Sequence, residues 1–124
     1  MSLAPLFRAA SALLALALAS GVGMIFVRFG SDRPSPPWLA KLHGLAAAGA
    51  ITLLAFGWAQ APAFPDAAVV GLAVLAAGAL GGLVLNLAYH WPGRPLPEWL
   101  VFAHLAVASL GFLLVGVVTL SLAA

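Results

Sequence analysis

Cysteine is absent from the chain. That single absence excludes disulfides, thiolate metal sites, iron–sulfur clusters, covalently attached haem and a cysteine nucleophile. Charge is nearly as scarce, with five basic and three acidic residues among 124: Arg8, Arg28, Asp32, Arg33, Lys41, Asp66, Arg94 and Glu98. The formal net charge of +2 and the pI near 10.0 therefore rest on a handful of groups and imply no nucleic-acid partner. No serine, histidine and acid occur together within the apolar stretches, so hydrolase chemistry has no support.

What is present is apolar: 65% of the residues are hydrophobic and the mean hydropathy is +1.16. Such a chain cannot face water on all sides, and its uncharged runs are long enough to cross a bilayer, which takes ~20 residues of helix. The expected fold is an all-α integral membrane protein with four transmembrane helices, near residues 9–29, 38–58, 67–89 and 98–122. Barrel strands are excluded because the runs are continuous and rich in Ala, Leu and Gly, with no alternation of apolar and polar residues. The opening stretch through Ala19 imitates a secretory leader, but the apolar run continues through Met24, Ile25 and Val27 and is read as a first span.

The chain repeats itself. "RPSPPWLAKLH" at residues 33–43 returns as "RPLPEWLVFAH" at residues 94–104, matching Arg33 with Arg94, Pro34 with Pro95, Pro36 with Pro97, Trp38 with Trp99, Leu39 with Leu100 and His43 with His104. Upstream, Gly21 falls on Gly82 and Ala17 on Gly78, giving small-residue spacing that suits close helix packing in lipid. The expectation is a duplicated two-helix hairpin, residues 1–61 and 62–124, forming one membrane domain with its pseudo-symmetry axis along the membrane normal. Each second helix would begin at an interfacial tryptophan and carry a histidine at the same depth.

Ionisable residues inside a span are costly and usually have a partner or a task. His43 and His104 are candidate metal ligands, and Asn86 and His90, four residues apart on helix three, are candidates for the same layer. Bare helix surrounds both histidines: Gly44, Ala46, Ala47, Ala48 and Gly49 after the first, Ala103, Ala106, Ala108, Ser109 and Gly111 around the second. That leaves room for a planar cofactor. Arg33 and Arg94, in the connections at that end, suit the two-pronged pairing of guanidinium with carboxylates such as haem propionates.

The arrangement resembles b-type membrane cytochromes, four-helix bundles that hold haem between histidines of different helices, and "LPEWLVFAHLAVASLGF" is similar to a pattern in small bacterial membrane proteins. The resemblance implies one haem b with His43 and His104 as axial ligands and electron transfer as the activity. It departs from the two-haem pattern, since histidines lie in only one layer, with His90 as a spare ligand. Two other readings stand beside it: a non-catalytic accessory subunit of a larger membrane complex, whose histidines make interhelical hydrogen bonds, and a quinone or lipid site lined by His43, His104 and Asn86. Partners would be membrane lipids, a quinone or a larger complex, with oligomers allowed. By the positive-inside rule, Arg28, Arg33, Lys41 and Arg94 outweigh Arg8. The expected location is the cell membrane, with both termini outside the cytoplasm.

Overall fold

The structure, a computed structural model, describes residues 2–124. Its four helices are α1 (Leu3–Ser31), α2 (Pro37–Gln60), α3 (Asp66–Val84) and α4 (Glu98–Ser121), with α3 continued by a π-helical turn over Leu85–His90. The segments Leu3–Ser31, Pro37–Gln60, Asp66–His90 and Glu98–Ser121 are each long and apolar enough to cross a membrane. Helix is the conformation such sequences require, because within lipid every backbone N–H and C=O must find its partner inside the segment.

The helix boundaries follow from local chemistry. α1 begins six residues before the sequence expectation, since Pro5 is tolerated in a first turn whose N–H groups have no intrahelical acceptor. Arg8 therefore lies within α1 and is exposed. About 30 Å of helix separates it from Arg28, which matches the hydrocarbon thickness. α1 stops at Asp32, whose φ of 53° is left-handed. The chain then folds back along α1, where the Ser35 hydroxyl donates to the Met24 carbonyl at 3.2 Å. Proline precedes α2, α3 and α4 at their N-caps, and Asp66 and Glu98 sit in the first turns of α3 and α4, where a carboxylate suits the helix dipole.

α1 packs along α2 and α3 along α4, while sparser α1–α4 and α2–α3 contacts close a ring of four. α2 and α4 lie across the ring from each other. Buried positions fall every three or four residues, as one helix face demands. They are Phe7, Ala10, Leu14, Ala17 and Ser20 on α1, Ala46, Ala50, Leu54 and Gly57 on α2, Ala68, Gly71, Leu75 and Gly78 on α3, and Gly111, Val115 and Val118 on α4. Shifting Phe7, Ala10, Leu14 and Ala17 by 61 residues reproduces the α3 set, while Ser20 falls on the half-buried Gly81. Ala50, Leu54 and Gly57 map in the same way onto Gly111, Val115 and Val118.

The hydrophobic core is one-sided. Phe7, Ala10, Leu14, Ala50, Leu54, Phe64, Ala68, Leu75, Val115 and Val118 form it, and all belong to the half of the bundle farther from the two Arg-Pro connections. A Ser11–Thr119 hydroxyl hydrogen bond of 2.7 Å ties α1 to α4 in that half. Toward the connections the buried residues are the serines Ser20 and Ser35, and apolar positions such as Val22, Gly23, Leu39, Leu42, Gly81, Leu100 and Val101 are half-buried.

Candidate histidine site

His43 on α2 and His104 on α4 each stand roughly 9 Å along the helix from its first residue. Their side chains meet inside the ring with centroids 5.9 Å apart and planes at 73°. Both imidazoles are half-buried. They lie where the packed half of the bundle gives way to the loosely filled half.

Each ring is held by the same device. His43 Nδ1 donates to the Ala17 carbonyl at 2.7 Å, and His104 Nδ1 donates to the Gly78 carbonyl at 2.8 Å. Both acceptors lie 26 residues upstream of their donors. A carbonyl can only accept, so each Nδ1 carries a proton, and in the neutral ring the lone pair is then on Nε2. In a helix the side chain four residues on flanks a carbonyl, and here those positions are Gly21 and Gly82. A Cβ on either would stand 3.0 Å from Cε1 of the ring concerned, too close without displacing it. Glycine is therefore what lets each imidazole reach the backbone of the neighbouring helix. The sequence marks these glycines only as helix-packing residues, and the backbone acceptors carry no side-chain signal at all.

The other candidates lie elsewhere. Asn86, expected to face the bundle interior, is exposed on its outer surface. It belongs to the π-helical turn, where its carbonyl accepts the Trp91 N–H at 2.8 Å. The wider turn breaks the 3.6-residue periodicity on which an inward placement rests. His90 ends that turn and lines a cavity of about 200 Å³ together with Arg28, Pro34, Gly93, Arg94 and Leu96. Among the described residues no group of three or more His, Cys, Asp or Glu is positioned to share a metal ion, so the three histidines do not form one cluster. Arg33 is exposed in the α1–α2 connection. A second cavity, about 470 Å³, opens at the opposite end and is lined by Trp58, Gln60, Phe64 and Asp66 among others.

The donor set suits a metal bound between two imidazoles. With metal–nitrogen bonds of about 2 Å, two imidazoles on opposite sides of one metal hold their ring centres roughly 6 Å apart. Metal-bound histidines typically spend their second nitrogen on a carbonyl or carboxylate, which fixes the tautomer and raises ligand basicity. No protein family matches the chain, and no curated protein or solved structure shows significant similarity to it.

Proposed function

We propose that this protein is a membrane electron carrier that binds one haem b between His43 and His104. The observation that carries the reading is the pair of rings 5.9 Å apart, each with Nδ1–H committed to a helix carbonyl and Nε2 left as a lone pair. With Nδ1 spent on a carbonyl, Nε2 is the ring nitrogen that each histidine still has for a ligand. The lack of core on the Arg-Pro side of the pair adds to this support, because a macrocycle there would supply the missing apolar contacts.

His43 and His104 would hold the iron from opposite hairpins. Ala17 and Gly78 would keep both imidazoles in the ligating tautomer, and Gly21 and Gly82 would keep their approach clear. Arg33 and Arg94 would meet the propionates at the connection end. Haem held this way supplies one-electron exchange, with a membrane quinone or a larger complex as the redox partner. The matching burial at an offset of 61 residues supports a duplicated hairpin as the origin of the symmetric pair.

Substitution tests the ligand assignment. His43→Ala and His104→Ala should each abolish a low-spin haem spectrum, since either change removes an axial bond, whereas His90→Ala should leave it intact. Variants that keep the spectrum would refute the pair as ligands. An interhelical hydrogen bond is worth only ~0.6 kcal/mol on average, so both alanine variants should remain folded by circular dichroism.

The rival reading, an accessory subunit, draws support from the same two interhelical hydrogen bonds. It expects a natural protein without a visible spectrum.

A further inference from the structure

The small cavity at the connection end has a composition unlike the rest of the molecule. Arg28 comes from the last turn of α1, His90 from the end of the π-helical turn, and Arg94 from the α3–α4 connection; Pro34, Gly93 and Leu96 complete the lining. Two of the chain's five basic residues converge here. The three acidic residues, Asp32, Asp66 and Glu98, contribute nothing to the wall.

The backbone that carries Arg94 is held in place. Pro34 stiffens one connection, while on the other side the Arg94 N–H donates to the Tyr89 carbonyl at 2.8 Å and Gly93 turns at a φ of 69°. Each arginine comes from a different hairpin, so an anion seated between them would join the two halves at the end where the hydrophobic core is missing.

From this geometry we infer that the cavity binds the phosphate of an anionic phospholipid. Guanidinium groups match phosphate oxygens in a two-pronged geometry. Exposed Trp91 beside the cavity, with exposed Trp38 and Trp99 at the same end, marks the level where headgroups lie. Basic pockets between transmembrane helices are recognised headgroup sites. At about 200 Å³ the cavity accommodates a phosphate and its immediate substituents, with the acyl chains left along the apolar outer surface. The site shares Arg94 with the haem reading, which gives that residue to a propionate, but Arg28 has no part there, so the Arg28→Gln arm below tests the lipid site separately from the haem.

Native mass spectrometry of the purified full chain, equilibrated with phosphatidylglycerol or phosphatidylcholine, tests it. One phosphatidylglycerol should be retained in preference to phosphatidylcholine. Arg28→Gln and Arg94→Gln should each weaken that retention about fivefold, and the double variant should lose the preference. Arg28→Lys, which keeps the charge, should keep most of it and so controls for folding, and Arg8→Gln should behave as the natural protein. Equal retention of the two lipids, or a folded double variant that still prefers phosphatidylglycerol, would overturn the proposal. Displacement of the lipid by excess inorganic phosphate would overturn the lipid assignment and leave a site for free phosphate.

Discussion

At the scale of single residues, the most consequential positions carry no side chain. Gly21 and Gly82 clear the path by which an imidazole on one helix reaches a carbonyl on its neighbour. Gly81 provides an internal control, because a Cβ there would lie 3.8 Å from His104 Nδ1, an ordinary contact. Gly82→Ala and Gly21→Ala should therefore each disturb their histidine, while Gly81→Ala should be silent. In the haem reading the disturbance appears as a shifted or weakened low-spin spectrum, larger for Gly21→Ala, whose Cβ would also stand 3.0 Å from Nδ1 of its histidine against 3.6 Å for Gly82→Ala. Identical spectra for Gly81→Ala and Gly82→Ala would refute the steric account.

At the scale of elements, the four spans are readable because hydropathy dominates everything else in lipid, and prolines mark three of the four helix starts. The inward faces are not readable in the same way. Lipid-facing residues such as Leu45, Leu80, Leu113 and Val117 are as apolar as the buried ones, so hydrophobicity does not distinguish the faces. For that reason the sequence reveals His43 and His104 as a pair through their repeated context, but misses the outward turn of Asn86. The π-helical turn has no residue pattern that announces it. The repeat itself yields a prediction: exchanging residues 33–43 with residues 94–104 should preserve membrane insertion far better than shuffling either stretch. The two share proline spacing, tryptophan position and a histidine at equal distance into the helix. Failure of the exchanged protein to insert, measured by membrane fractionation beside the natural one, would show that the two stretches are not structurally equivalent.

For the molecule as a whole, a bundle packed at one end and loosely filled at the other has a direction, and the charges have one as well. Arg28, Arg33, Lys41 and Arg94 flank the two Arg-Pro connections, whereas Arg8 alone lies toward the other end. By the positive-inside rule the expected orientation has the histidine end toward the cytoplasm and both termini away from it. A reporter active only in the cytoplasm and fused after Ala124 should be inactive; activity would reverse the orientation. The central claim, that the paired imidazoles ligate haem, is tested most directly by a reduced-minus-oxidised absorption spectrum of the natural protein, produced with ample haem and purified in mild detergent. The account predicts the sharp bands of a low-spin, bis-histidine b-type haem at about one haem per chain. A colourless protein that remains folded and takes up no added haem would contradict it.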